Sequence, residues 1–240
     1  MGILLSLALL PVFFLLIFIY RKDSTNPEPV RMIIKAFFFG LFSCFVSLTL
    51  TSVLPDDLKA AVDELVGFAM PQGIFGFIDA FVSAALPEEF AKLLMLWLLL
   101  RKSKHFDEPM DGIVYSACVS LGFAALENVF YLIDEADLFS TGIMRGLFSV
   151  PGHFCFAVAM GYYYSKAHFG TKHKMLYRLL AYFIPVFLHG VYDGLITIMD
   201  GDIWYLVFIV WLAFCILTYK KALKRINKLK APNTAYAKTT

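Results

Sequence analysis

Glu88 and Glu89 stand side by side in ALPEEFAKLL, residues 85–94, inside a run from Ile74 to Leu100 that is nearly all apolar apart from them, Lys92 and Asp79. Lys92 lies at i+4 from the first glutamate and i+3 from the second, so on a helix it reaches both. One carboxylate suffices to pair a lysine; the second is left over as a candidate general acid or base. Three further segments carry polar groups of the same kind: Glu127 and Asn128 in GFAALENVFY, His153 in SVPGHFCFAVAMG, and His189 with Asp193 in FLHGVYDGL. His189 and Asp193 are i, i+4, so the aspartate can orient the imidazole or share a metal with it. No serine or cysteine has an evident base and orienter, which disfavours a covalent nucleophile. The chemistry these types support is hydrolysis by an activated water. A glutamate takes the proton and later returns it to a leaving group, while His153 and His189 polarise a carbonyl or bind a metal that does so. No H-E-x-x-H motif is present, so zinc or another divalent ion rests only on the convergence of His153, His189, Asp193 and a glutamate, and the cofactor stays open.

The elements that must carry these groups are membrane helices. Of 240 residues, 60% are hydrophobic and 17% charged, with a mean hydropathy of +0.71. Soluble domains are less apolar and more charged. Several stretches approach or exceed the ~18 apolar residues of a spanning helix. The reading is an all-α, polytopic transmembrane helix bundle of about seven spans, over 3–20, 32–54, 72–100, 112–133, 145–165, 179–199 and 203–219. All lysines and arginines except Lys59, Lys92 and Arg145 fall in segments after odd-numbered spans, whereas Asp56, Asp57, Asp63, Glu64, Asp134, Glu135, Asp137, Asp200 and Asp202 fall on the other side. Basic residues stay inside, which puts the N-terminus outside and the C-terminus in the cytosol. At 1.5 Å per residue from each cytosolic end, Glu88, Glu127, His153, His189 and Asp193 all lie roughly 15–22 Å up, in one layer near the midplane. Ionisable groups at that depth are costly, and their shared level points to one site.

Several readings follow from the same spans. Residues 1–219 form a single integral-membrane domain, and 220–240 a loosely ordered basic cytosolic tail. The first span has its positive charges after the apolar run, as in a reverse signal anchor rather than a cleaved leader. Cys44, Cys118, Cys155 and Cys215 lie within spans without C-x-x-C spacing and serve as packing. Arg145 reads as snorkelling to the outer interface, and Asp79 as belonging to that interface. Pro87 removes the bond to the Ser83 carbonyl and kinks its helix, baring acceptors at the site. Gly190 and Gly194 leave a surface open to close helix approach. A net charge of +2 suggests no nucleic-acid partner.

P-E-E-F-A-K at 87–92, F-A-A-L-E-N at 123–128, G-H at 152–153 and H-G-V-Y-D at 189–193, with D-x-x-N-P-E-P at 23–29, resemble the PrsW family of intramembrane proteases. The resemblance runs from about residue 20 to 200. It implies a protease of the wider superfamily of CAAX prenyl endopeptidases and bacteriocin-immunity proteins. There the pattern is E-E-x-x-x-R, F-x-x-x-H and H-x-x-x-N or D. This chain departs from it with Lys92 one position early and Glu127 in place of a histidine, which favours the PrsW branch.

The resemblance further implies a multi-pass protein of the cell membrane that cleaves a membrane-anchored protein substrate. Site-1 cleavage of an anti-sigma factor is the family's linked activity. Glu88, Glu89, His153 and His189 are then the catalytic candidates, with Lys92, Glu127, Asn128 and Asp193 in support. Two alternatives use the same residues. Midplane charges also mark the ion pathways of secondary transporters or proton-coupled carriers, and a non-catalytic immunity or binding protein could keep the fold.

Overall fold

Prolines mark where several helices begin, because a residue without an N–H is tolerated where no intrahelical bond is due. Pro29 immediately precedes α2 (Val30–Thr51) and Pro71 precedes α4 (Gln72–Asp79), while Pro109 is the first residue of α6 (Pro109–Asp134). The computed structural model describes residues 2–24, 26–134, 138–199 and 201–230. Among these the chain is helical throughout, without strands. The remaining helices are α1 (Gly2–Lys22), α3 (Leu58–Val66), α5 (Leu86–Leu100), α7 (Leu138–Met144), α8 (Val150–Phe169), α9 (Lys174–Thr197) and α10 (Trp204–Lys230). Five helices are long and apolar enough to cross a membrane: Val30–Thr51, Pro109–Ile133, Phe139–Phe169, Lys174–Thr197 and Trp204–Leu229. The rods over 2–22 and 72–100 are helical too. The protein is thus an all-helical, multi-pass membrane protein.

Two rods contain a wider turn at matching places. A π-helical segment, Ala80–Ala85, joins α4 to α5, and a second, Arg145–Ser149, joins α7 to α8. Each is followed by an X-Pro step, Leu86-Pro87 and Val150-Pro151. Pro87 has no N–H for the Ser83 carbonyl, and the chain widens so that Leu86 N–H donates to the Phe81 carbonyl instead. The expectation that this kink bares an acceptor at the site is corrected. Thr51 Oγ1 of α2 donates to the Ser83 carbonyl at 3.2 Å, and Tyr182 Oη to that of Leu86 at 3.0 Å.

Helix α6 lies at the centre, packed by α2 on one side and α8 on another. Its residues from Ile113 to Ala125 are buried almost without exception. A Cβ on Gly122 would collide with the Phe37 carbonyl and one on Gly40 with that of Val119, so α2 and α6 touch backbone to backbone. Gly112 and Gly161 bring α6 and α8 together in the same way. Serines add hydrogen bonds across that seam: Ser116 Oγ to the Ala157 carbonyl at 2.9 Å, Ser120 Oγ to that of His153 at 3.0 Å, and Ser165 Oγ to that of Pro109 at 2.7 Å. Outward faces carry phenylalanines such as Phe14, Phe38 and Phe42, as a lipid-facing surface requires.

Two stretches read as loop or tail are helical. Asp57 caps α3 by accepting from Ala60 N–H at 2.9 Å, and Gly67, at φ 80°, closes it in the left-handed region. Within it Lys59 pairs with Asp63 at 2.6 Å; that bond and the Met70 N–H hold the Asp63 carboxyl below the usual carboxylate range. Helix α10 continues to Lys230, with Ala222 and Ile226 buried. The basic segment from 220 to 230 is therefore ordered by packing, and residues 231–240 lie outside the described chain.

Candidate active site

Four rods bring polar side chains into one layer. From α5, Glu89 points inward and is fully buried, its side chain 0% exposed, while Glu88 is 14% exposed. Adjacent residues on a helix diverge by about 100°, so the two glutamates meet different surroundings. Lys92, one turn later, donates to Glu89 Oε1 at 2.8 Å and to Glu88 Oε2 at 3.2 Å, and its ammonium lies 3.9 Å from the centre of the Phe123 ring. His189 from α9 reaches Glu89 Oε1 through Nδ1 at 3.0 Å and Asp193 Oδ2 through Nε2 at 2.9 Å. Its ring stacks on Phe156 at a centroid distance of 5.1 Å. Two carboxylates and one aromatic face therefore fix this imidazole.

His153 from α8 stands beside it, ring centroids 5.2 Å apart. Its Nδ1 lies 3.1 Å from Lys92 Nζ and its Nε2 2.9 Å from Glu127 Oε2. An ammonium only donates, so Nδ1 accepts and Nε2 carries the proton given to Glu127. Arg145 completes this half of the site. Its Nη2 donates to Glu127 Oε2 at 2.6 Å, its Nε to Asn128 Oδ1 at 2.7 Å, and its guanidinium lies over the Tyr131 ring at 3.8 Å. The result is one connected network from Asp193 through His189, Glu89, Lys92, His153 and Glu127 to Arg145.

The structure brings together every residue singled out from sequence: Glu88, Glu89, Lys92, Glu127, Asn128, His153, His189 and Asp193. It also corrects one placement. Arg145 does not snorkel to the interface; it turns inward from the π segment to two polar partners on α6. Asp79, bonded to Ser83 Oγ at 2.5 Å, lines the same cavity as the site. Gly190 and Gly194 allow the close approach expected of them: a Cβ there would collide with the Phe81 ring and the Phe77 ring, which pack against them. A signal for Arg145 was present in the sequence: it is the lone basic residue of its span, and Glu127 and Asn128 on a neighbouring span lacked a cationic partner.

A cavity of about 550 Å³ opens on the site. Glu88, Glu127, His153, His189 and Asp193 line it, and so do Asp79, Tyr131, Arg145 and Thr197. Glu89 and Lys92 are not on its wall.

Glu88, Glu89, His153 and His189 also offer ligand atoms that all lie within 4.8 Å of one another. Two imidazoles and two carboxylates form a donor set suited to a divalent transition ion. Glu89 Oε2 is buried without a hydrogen-bond partner and is free to accept. Lys92 already brings one positive charge into this set. By donor type and proximity these residues fit such an ion.

Comparison with known proteins gives the family. A family model described as "PrsW family intramembrane metalloprotease" matches residues 28–219. The chain is 37% identical to Protease PrsW of Geobacillus kaustophilus (strain HTA426), over 95% of this chain and 92% of that protein. It is 35% identical to Protease PrsW of Clostridioides difficile (strain 630), over 94% and 90%. Against Protease PrsW of Bacillus subtilis (strain 168) the identity is 34%, over 96% and 100%. No solved structure gives a significant match.

Proposed function

The chain belongs to the PrsW family of intramembrane proteases, and from that premise we propose that it hydrolyses a peptide bond of a single-pass membrane protein with Glu88 as the base. The observation that supports this most is the division of labour between the two glutamates. Glu88 is the one on the cavity wall, while Glu89 is enclosed by Lys92 and His189. A base must reach solvent water and substrate together, which only Glu88 does.

In this reading Glu88 Oε2 takes a proton from water held in the cavity and delivers it to the leaving amine. Lys92, 3.2 Å away, keeps that carboxylate oriented. His189 Nε2 is 3.9 Å from Glu88 and is aimed by Asp193. That N–H is engaged by Asp193 Oδ2 at 2.9 Å; a substrate carbonyl oxygen that displaces the aspartate would accept it instead as negative charge develops there. His153 is held by Lys92 and Glu127, with Arg145 supporting Glu127. His153, His189 and one of the two glutamates are the residues that would hold a divalent ion; bound there, it would supply Lewis-acid polarisation and a more acidic water.

The finer topology is part of the same proposal: seven spans, with the N-terminus outside and the C-terminus cytosolic. Residues 1–219 act as one protease domain, followed by the basic segment. The cavity mouth then lies at the outer face, beside the acidic loops, and a substrate is cut near its outer end. A membrane-anchored anti-sigma factor, cleaved there as the first of successive cuts, fits this placement. The motif pattern further supports a place in the wider superfamily of CAAX proteases and bacteriocin-immunity proteins. No nucleic acid takes part.

The test is hydrolysis in proteoliposomes holding the purified protein and a tagged single-pass anti-sigma factor, with the cut mapped by mass spectrometry. A cut near the outer membrane boundary, absent with Glu88→Gln, is the expected result. Undiminished cleavage by Glu88→Gln would remove the glutamate mechanism.

A further inference from the structure

A second buried cluster lies at the other end of α6. Asp23 and Glu28, from the linker between α1 and α2, meet Asp111 in the first turn of α6, and carboxylate oxygens of all three lie within 4.8 Å of one another. All three side chains are nearly inaccessible, at 2%, 4% and 0% exposure. Glu108 adds a fourth carboxyl against Asp23, and Glu28 lies against Asp111. Among the described residues, no lysine or arginine pairs with any of them. Burying several carboxylates together without a counter-charge is strongly unfavourable.

The hydrogen bonds show which oxygens remain. Asp111 Oδ2 accepts from the N–H groups of Asp107 and Glu108, at 2.9 and 2.8 Å, and so caps α6. Its other oxygen, Oδ1, is buried without a partner, and so is Asp23 Oδ2. Tyr115 Oη donates to Glu28 Oε2, which fixes that carboxylate from α6. Two fully buried, partnerless carboxylate oxygens in one all-oxygen cluster call for a ligand that accepts electron pairs from both.

We propose that Asp23, Glu28 and Asp111 form a binding site for a hard divalent cation, magnesium or calcium, separate from the proteolytic centre. Oxygen-only ligation by carboxylates is the chemistry of these two ions, and the absence of histidine or cysteine in the set disfavours softer metals. Asp111 and Glu127 are separated along α6 by roughly 24 Å at 1.5 Å per residue, so the ion does not share the catalytic site. Its effect is to tie the 23–29 linker to the start of the central helix. That contact fixes α1 and α2 against α6, and with it the register at which α6 presents Glu127. This gives the D-x-x-N-P-E-P stretch, which contributes nothing to the proteolytic centre, a physical role.

Thermal unfolding of the full chain tests the proposal. The protein is purified in detergent, stripped with chelator, and titrated with MgCl2 or CaCl2 at constant ionic strength while tryptophan fluorescence is followed. A saturable rise is expected with at least one of the two ions, of about 5–10 °C at a hundred-fold excess over Kd. Asp111→Asn and Asp23→Asn should abolish the rise, whereas Glu89→Gln should keep it, which separates this site from the proteolytic centre. The proposal is overturned by no saturable rise in the wild-type chain with either ion, as expected if the cluster is neutralised by shared protons, or by an undiminished rise in the Asn variants. If an Asn variant fails to fold, the wild-type and Glu89→Gln titrations decide the matter together: a rise that Glu89→Gln abolishes belongs to the proteolytic centre and overturns the proposal.

Discussion

Replacing each glutamate of the pair by glutamine should separate catalysis from architecture. Glu89 Oε1 accepts from Lys92 at 2.8 Å and His189 at 3.0 Å in a place with no solvent access. Breaking a buried ion pair costs about 3–5 kcal/mol, because the remaining charge is left without compensation. In Glu89→Gln the amide oxygen still accepts and Lys92 keeps Glu88, which sets the expectation at the lower end, about 3 kcal/mol. For a chain of this size that corresponds to a fall in Tm of about 6–12 °C. Glu88 is partly solvated and its bond to Lys92 is longer, 3.2 Å. Glu88→Gln leaves Lys92 its shorter bond to Glu89 and should therefore cost less than Glu89→Gln does, while loss of a general base slows cleavage by about 10²–10⁴.

The assay pairs unfolding in detergent with cleavage in proteoliposomes at saturating substrate, normalised to folded protein. Glu88→Gln should unfold at a higher temperature than Glu89→Gln and be inactive. Glu89→Gln should lose stability, and lose activity only as its network loosens. The reasoning is refuted if the pattern is reversed, with Glu88→Gln unstable and Glu89→Gln inactive but as stable as wild type. Full activity in Glu88→Gln refutes it outright.

Other variants probe the rest of the site and its frame. Arg145→Met should destabilise the protein by about 1.5–3 kcal/mol, the worth of hydrogen bonds to a charged group, and Arg145→Lys should restore only part of that, since one ammonium does not reproduce the fork to Glu127 and Asn128; thermal unfolding measures both. If His153 and His189 hold a catalytic metal, alanine at either removes metal and activity together and chelators inhibit; if they act as oxyanion donors, each alanine variant loses about 10²–10³ in rate with the metal content of the protein unchanged. Elemental analysis alongside cleavage rates separates the two. Gly122→Val should cost at least the roughly 1–3 kcal/mol of overpacking, because the atom struck is the Phe37 carbonyl of α2; Gly73→Ala, whose Cβ meets only Ile198 Cγ2 at 3.6 Å, should unfold as wild type does. Reporter fusions after Thr240 and within 134–142 should report opposite sides of the membrane, and same-side signals would end the seven-span topology.

What could be read from the sequence was whatever helical geometry makes local. The i, i+4 relations of Glu88 with Lys92 and of His189 with Asp193 appear in the structure as contacts of 3.2 and 2.9 Å, because one helix fixes them without help from its neighbours. The common depth of Glu88, Glu127, His153 and His189 was legible for the same reason: rise per residue is a property of a single rod. Pairing across rods was not. That Lys92 would bridge to His153, or that Glu89 rather than Glu88 would be enclosed, depends on how α8 and α9 are rotated against α5, and rotation is set by packing such as Phe81 on Gly190.

Arg145 shows a subtler limit. Counting from the nearer end of an ideal helix places it at the outer boundary, where a long cation normally reaches water. The π segment Arg145–Ser149 adds a residue to one turn and changes which way the side chains before it face. The same device operates at Ala80–Ala85, ahead of Glu88 and Glu89. In both rods the proline that cannot donate its N–H stands one or two residues before the catalytic candidate, Pro87 before Glu88 and Pro151 before His153. The wider turn lets the rod change direction there without leaving a carbonyl unsatisfied in lipid, at least at Ser83, where Thr51 fills the vacancy. An X-Pro step just before an intramembrane acid or histidine is thus more than a kink: it resets the angular register of the site, and depth arguments that assume a uniform helix will misplace the residues on its far side.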